Sequence, residues 1–463
     1  MTAKPRLLWI SYRFPPETYP LATRVKYFLS HLEGEWEIDA ITAAEEAASR
    51  PGVSVHHVPE RTPHKLFKTL RRLRLDKLTE LFVWPDPFLF WVWPAFRAAK
   101  ALLRKHEYDA IAVFMMPYSQ GLIGMLLKSL TGLPLIMNFN DSMTCSDMRA
   151  SVPSVIHHHL DRLLEDLYVR TADAAIFVSK HNLERVRARQ PHEHRDKFHL
   201  IRRGSSRIAA SAPMHEPSPT FRILYTGGTN GWYQHWEDLH PSSPLKRTKR
   251  WVDRLGRYQR TDLDDRTHGP VYLGFAIQRV LERHPDWTGR IWVDVYGQRY
   301  PDGIDEKVLH ALGLGTVVQL HPPVPHDDAL GLMPKSDLLF MALPDRLDGT
   351  QGGRISAKTY EYLMTDRPIL GALPPGENTE YLRDKPGTHC VSPADAEGMA
   401  TVIERLAHQK LVEGHSLAVD RSDLTSHLTG EARAAAFETV LRNCVVGVDS
   451  RPAVSSASLS PSV

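Results

Sequence analysis

Cysteine is scarce. Cys145, Cys390 and Cys444 are the only three in 463 residues, an odd and scattered set that fits neither a disulfide framework nor a thiolate metal cluster. No apolar run approaches the roughly 18 residues of a membrane span; the nearest, residues 81–96, is broken by Pro85, Asp86, Pro87 and Pro94. The opening MTAKPRLLWISYRFPPE has too short an apolar core for a secretory signal, and no small-residue cleavage site follows. Charge of one sign is not in excess either. Lys and Arg number 57 against 54 Asp and Glu, leaving +3, so no nucleic-acid partner is implied. There is no GxGxxG, no Walker A sequence, no HExxH and no paired CxxC, which removes the fingerprints of dinucleotide, P-loop and zinc sites. The expectation is a cytoplasmic protein.

What is present is ordinary globular material. Apolar residues make up 42% and charged residues 24%, which excludes wholesale disorder. At roughly 150 residues per domain the length suits two large domains. Short apolar runs at 6–11, 36–42, 109–115, 133–139, 173–179 and 197–203 read as strands, with helical spacing at 21–32, 119–130, 156–170 and 181–189 between several of them. Largely apolar strands alternating with helices predict a parallel sheet covered on both faces. The pattern pauses at a Ser/Ala/Pro-rich stretch and restarts with strands at 221–226, 291–297, 316–321, 337–342 and 368–372. The expected division is a first α/β domain at 1–204, a linker at 205–219, a second α/β domain at 220–448 and a disordered Ser-rich tail at 449–463. One segment does not fit this rhythm, an insertion at 232–270. Its middle, KRTKRWVDRLGRYQR (246–260), holds seven Lys/Arg and one acid. It is too long for a structureless loop in a compact domain, and reads either as a solvated, partly helical insertion or as a contact for an anionic substrate or membrane.

Two doubly wound domains create a cleft between the carboxyl ends of two sheets, where ligands bind in open α/β folds. The most informative loop there is DGTQGGRISAK (348–358). Gly352 and Gly353 permit close backbone approach, and they precede a helical segment with Arg354, Lys358 and Glu361. Arg354 and Lys358, four apart, face one side of the helix start, a seat for a diphosphate, while Glu361 suits a ribose diol. An ordinary loop with a Lys–Glu surface pair is the competing reading. Gly227 and Gly228 follow the first strand of the second half and favour close approach, though Gly-Gly is also a common turn. In the first half Asn140, Asp141 and Asp147 follow a strand; a carboxylate there serves as base or sugar ligand, or caps the next helix. The 24 histidines include His157, His158 and His159, which a helix spreads over separate faces, so no metal site is read from them.

With these residues in hand, the chain resembles the retaining, family-4-like glycosyltransferases of the GT-B fold. The resemblance rests on WISYRFPPETYPLATR, LPLIMNFNDSM and TADAAIFVSKHNLERV in the first half. In the second half it rests on FRILYTGG, IWVDVYGQ, VVQLHPPVPHDDALGLMPKSDLLFMAL and SAKTYEYLMTDRPILGALPPGE. It implies two Rossmann-like domains facing each other across a cleft. It also implies transfer of a sugar from a nucleotide-sugar to a glycan or lipid-linked acceptor, with no cofactor beyond the donor itself. Lys358 and Glu361 inherit phosphate and ribose roles, with Gly227, Gly228, Gly352, Gly353 and Arg354 on the donor side, Asp141 as catalytic carboxylate, and Glu17 and Arg24 on the acceptor side. Where the family often has a glutamate eight residues before Glu361, this chain has Gly353. A catalytically impaired protein that binds nucleotide or carbohydrate is therefore the second reading, and a sugar-nucleotide epimerase of the same fold a third. None of the strands predicted in the second half ends in an Asp-x-Asp that could hold Mg²⁺ beside a diphosphate, so metal-independent chemistry is expected.

Finally, RTPHKLFKTLRRLR (61–74) has six Lys/Arg and no acid, and the sixteen residues 81–96 hold three Trp and four Phe. A basic amphipathic stretch beside an aromatic one suits peripheral contact with the inner face of a membrane; the alternative is that the aromatics form core or an acceptor pocket.

Overall fold

The computed structural model describes residues 4–17, 19–61, 63–72, 76–205, 219–240, 244, 248, 254–299 and 303–449. In the first half the strands are β1 (Arg6–Ile10), β2 (Glu37–Thr42), β3 (Val53–His57), β4 (Ala110–Phe114), β5 (Leu135–Phe139), β6 (Ser151–Val152), β7 (Ala174–Phe177) and β8 (Phe198–Leu200). All but β6 join one sheet in the order β3-β2-β1-β4-β5-β7-β8, and the pairings are parallel. Every residue of β4 and β5 is buried, because helices cover both faces and leave no polar side to alternate with. Helix Pro20–Leu32 shows the local logic: Pro20 opens it where no N–H partner is lost, and Leu21, Val25, Phe28, Leu29 and Leu32 form its buried stripe.

The second half repeats the plan with β9 (Phe221–Thr226), β10 (Tyr258–Gln259), β11 (Leu263–Asp264), β12 (Ile291–Tyr296), β13 (Val318–His321), β14 (Leu338–Ala342), β15 (Asp345–Arg346), β16 (Ile369–Ala372) and β17 (Thr388–Val391). Its main sheet runs β13-β12-β9-β14-β16-β17, again parallel. In each sheet the strand order reverses beside its first strand, so β1 and β9 mark the two switch points that face the cleft. The architecture is GT-B: two doubly wound Rossmann-like domains.

Two segments depart from the division at 204 and 220. Helix Gly430–Asp449, inside the stretch expected to belong to the second domain, packs in the first: Phe437 stacks on Phe28 at 4.7 Å and meets Trp9 edge-on at 5.9 Å. The chain therefore crosses back, and the tail expected from 449 has its residues 450–463 outside the described residues, as are 206–218 of the linker. The insertion crosses the other way. It begins within helix Asn230–Leu239, whose Trp232 is buried in the second core. Its β10 then pairs antiparallel with β6 of the first domain, Tyr258 opposite Val152, and β11 pairs with β15. Arg260 reaches into the first domain, its Nη2 2.6 Å from Asp161 Oδ2 and its Nη1 donating to Met143 O at 2.8 Å. Of the basic stretch 246–260, residues 246–247 and 249–253 lie outside the described residues.

The aromatic segment divides its labour. Trp91 and Phe96 are core, whereas Phe82 is 80% and Trp93 61% exposed. They adjoin helix His64–Arg72, on which Lys65, Lys68 and Arg72 are exposed; residues 62, 73 and 74 of that basic stretch lie outside the described residues. Among the described residues no helix is long and apolar enough to cross a membrane.

Candidate active site

The loops that follow β5 and β8, helix Pro20–Leu32, helix Ala357–Leu363 and the start of helix Gly430–Asp449 enclose a cavity of about 450 Å³ between the domains. Arg24, Arg203, Arg354, Lys358 and Arg433 line it, against the carboxylates Asp141 and Glu361. Five cations facing two acids in a recessed space repel one another, and the arrangement is relieved by an anion with more than one charge.

Each charge carries the mark of its enclosure. Burial pushes Lys358 down to about 8, against the pull of Glu361 and with the push of Arg354. Burial likewise lowers Arg24 to about 9, and Arg203 adds to it. Arg354 is lowered by burial, with Asp147 and Asp141 opposing. Burial raises Glu361, opposed by His326 and Lys358, and raises Asp141, opposed by Arg203 and Arg354. His268, which feels both Arg354 and Lys358, is driven to about 4, chiefly by burial; it is a neutral neighbour of the site at physiological pH.

The geometry sorts the residues expected from sequence. Lys358 and Glu361 lie on helix Ala357–Leu363 and Arg354 just before it, and all three line the cavity. Lys358 Nζ lies 5.0 Å from the centre of the Tyr225 ring. A Cβ on Gly227 would come within 2.6 Å of both Lys358 Nζ and the Tyr225 ring, so glycine there makes room for the lysine. Gly228 accepts the Tyr225 hydroxyl through its carbonyl at 3.1 Å. Asp141 lines the cavity with its Oδ2 3.9 Å from Arg203. Arg24 also lines it, anchored by bonds from Nη1 to Arg202 O at 2.9 Å and from Nη2 to Ile201 O at 2.8 Å.

Gly227 and Gly228 are not themselves among the lining residues, and three further expected residues sit elsewhere. Glu17 pairs with Arg13 at 3.3 Å and is not among the lining residues. Gly352 and Gly353 do not line the cavity either. Gly352 bridges to Gly376, and a Cβ on Gly353 would fall 2.2 Å from Asn182 Oδ1 and 3.0 Å from Ser179 Oγ of the first domain. These glycines let the two domains touch.

Sequence reasoning missed Arg203, Arg433, His326 and Glu377. His326 lies 3.5 Å from Glu361. Glu377 works at the domain contact: it accepts from Lys180 N at 2.7 Å and His181 N at 3.0 Å, capping helix Lys180–Ala188, and pairs with Arg202. The PPGE run that carries it was visible, but its target, a helix start some two hundred residues earlier, was not.

Comparison with known proteins gives one family match and a shared fold. Residues 21–204 match the glycosyl transferase 4-like domain family. No curated protein matches the sequence. Sucrose-phosphate synthase from Thermosynechococcus elongatus superposes with a TM-score of 0.61 at 13% identity, over 96% of this chain and 100% of that one. Anabaena HepE in complex with UDP and glucose gives 0.59 at 13% identity, over 95% and 99%. The α,α-trehalose 6-phosphate synthase of Burkholderia multivorans gives 0.59 at 12% identity, over 97% and 99%. The family match covers residues 21–204 alone, and the likeness to the solved structures is one of fold.

Proposed function

We propose that the protein moves a sugar from a nucleotide-sugar to a glycan or lipid-linked acceptor, retaining the anomeric configuration and requiring no metal. The observation that carries this reading is the five-to-two excess of cations in the cavity between the two switch points. When the anomeric C–O bond breaks, an oxocarbenium-like centre forms and negative charge builds on the departing diphosphate. Fixed donors stabilise such charge by roughly 3–4 kcal/mol each. Arg354 and Lys358 are placed to do this from the second domain, and Arg203 and Arg24 from the first. Glu361, beside His326, is the acceptor for a ribose diol. Asp141, on the first-domain side, is the carboxylate that receives the hydrogen bond of the attacking hydroxyl. Retention comes from the family resemblance alone. The exposed Phe82 and Trp93 beside the basic helix support a location at the inner face of the cytoplasmic membrane.

The test is a binding screen of UDP-, GDP- and ADP-sugars by calorimetry, followed by donor turnover with the best of them. Micromolar binding of one class together with nucleotide release is the expected result; no binding in any class refutes the reading. A second reading rests on Gly353. Its Cβ position is filled by Asn182 and Ser179, so no glutamate fits there, and a protein that binds the donor without turning it over is the alternative. Tight nucleotide-sugar binding with neither transfer nor hydrolysis would select it.

A further inference from the structure

Beside the cleft cavity lies a second chamber of about 360 Å³, and Tyr19 and Met116 line both. Met116, at the junction, has a φ of +88°, unusual for a residue with a side chain. The chamber differs in character from the charged cleft. Val83, Trp84, Pro87, Phe88, Tyr118 and Val152 supply its walls. The polar ends of Trp84 and Tyr118 are satisfied within the protein: Trp84 Nε1 donates to Asp161 Oδ1 at 2.8 Å, and Tyr118 Oη donates to Ser142 O at 3.2 Å. Asp86, also on the wall, already accepts from Ser119 N at 2.9 Å and Phe88 N at 3.1 Å. Arg149 pairs with Asp161 at 3.0 Å, though its Nη1 is buried without a partner, and His157 Nε2 lies 3.1 Å from Leu81 O. Most of the polar groups are thus committed to the fold, and the surface they leave facing the chamber is chiefly apolar.

One wall comes from the other domain. Arg257, on the insertion one residue before β10, lines the chamber, and its side chain pairs with Glu80 and donates from Nε to Ser151 Oγ at 3.4 Å. The β10–β6 pairing fixes it there. A chamber of this size is within the range of small-molecule sites, about 300–1,000 Å³, and holds an aromatic ring or a short aliphatic chain, not a long lipid.

We infer that this chamber binds a compact apolar group carried by the acceptor, with the hydroxyl that receives the sugar lying in the charged cavity next door. The inference rests on the glycosyl-transfer reading for the word acceptor, and on the chamber's own walls for the apolar group. Its test uses three glucosides as probes, the methyl, p-nitrophenyl and n-octyl β-D-glucopyranosides, the last below its micelle-forming concentration. Binding to the full chain is followed by calorimetry and by tryptophan fluorescence, whose Trp84 component a nitrophenyl ring in the chamber quenches. At least one apolar glucoside is expected to bind tenfold or more tightly than the methyl glucoside; a preference for p-nitrophenyl identifies an aromatic group and for n-octyl an aliphatic one. Val83→Trp, which fills the chamber, is expected to bring the preference within twofold while leaving nucleotide affinity unchanged, and Arg257→Ala, at a half-exposed position, to weaken it at least threefold. Equal binding of the three glucosides overturns the inference, as does a preference that survives Val83→Trp. Nucleotide affinity is measured separately, so loss of the glycosyl-transfer reading would show there and not in the glucoside arm.

Discussion

At the scale of single residues the cavity turns on Lys358 and Glu361. Loss of a charged hydrogen bond costs about 1.5–3 kcal/mol, so Lys358→Ala and Glu361→Ala are each expected to weaken nucleotide-sugar binding or turnover at least tenfold with the fold intact by circular dichroism. Unchanged affinity in both would remove the site assignment. The protonation of Lys358 gives a second handle. Its folded value is about 8 against an ordinary 10.5, so the side chain is charged below about pH 8 and neutral above. A diphosphate needs the charge, and nucleotide affinity is therefore expected to be full below pH 8 and to fall as pH rises through it. Arg24, near 9, extends the fall. Calorimetric titration from pH 6.5 to 9.5 checks this, and Lys358→Arg is expected to move the onset of the fall toward 9. The same depression acts on stability with the opposite sense: the native state sheds this proton above about 8 while the unfolded chain holds it to about 10.5, so the penalty of burying the charge is relieved as pH rises between them. Lys358 and Glu361 were legible because a glycine loop and a helix start sit beside them in sequence. Arg203 and Arg433 were not, because only the folded crossing of helix Gly430–Asp449 back to the first domain brings position 433 to position 203.

At the scale of elements, long apolar strands and periodic helices were readable and short ones were not. β9 emerged with the expected bounds, Phe221–Thr226, because six residues suffice to show an apolar run flanked by a glycine turn. β10 and β11, two residues each, carry no period, and they are what ties the insertion to both domains. The charge-rich appearance of 246–260 pointed to solvent or an anion, yet Arg260 at its end is spent on Asp161 inside the first domain. Removing it as Arg260→Ala leaves Asp161 its contacts with Arg149 at 3.0 Å and Trp84 at 2.8 Å. The cost is thus that of the charged hydrogen bonds to Asp161 and Met143 O, about 1.5–3 kcal/mol each, and not the larger penalty of a stranded buried charge. A urea unfolding midpoint lowered accordingly, with faster protease cleavage in the insertion, is the expected outcome; an unchanged cleavage rate would mean the strand pairing alone holds the insertion in place.

For the molecule as a whole, two sheets present a cationic cavity at one seam and an aromatic-basic face on the first domain. With fixed cations at the diphosphate, turnover is expected to survive EDTA; loss of turnover restored by Mg²⁺ or Mn²⁺ would transfer that role to a metal. The aromatic segment shows why the face is the last part to interpret. Trp91 and Phe96 are needed for the core, and Trp84 and Phe88 line the chamber, but neither use accounts for Phe82 and Trp93, which stand 80% and 61% exposed. Phe67 of the basic helix meets Phe90 at 5.9 Å. Lys65, Lys68 and Arg72 are exposed on that helix, and at about 1 kcal/mol each near anionic lipid they supply about 3 kcal/mol, on the order of a hundredfold in partitioning. That attraction is screened by salt over about 10 Å at 0.1 M, so binding to liposomes containing phosphatidylserine is expected at low ionic strength and is expected to fade as salt is added. Lys68→Glu with Arg72→Glu should abolish the salt-sensitive part, and Phe82→Ser with Trp93→Ser should weaken what salt leaves. Failure of the unaltered protein to co-sediment with such liposomes at low salt would leave these aromatics as exposed surface with no membrane to meet.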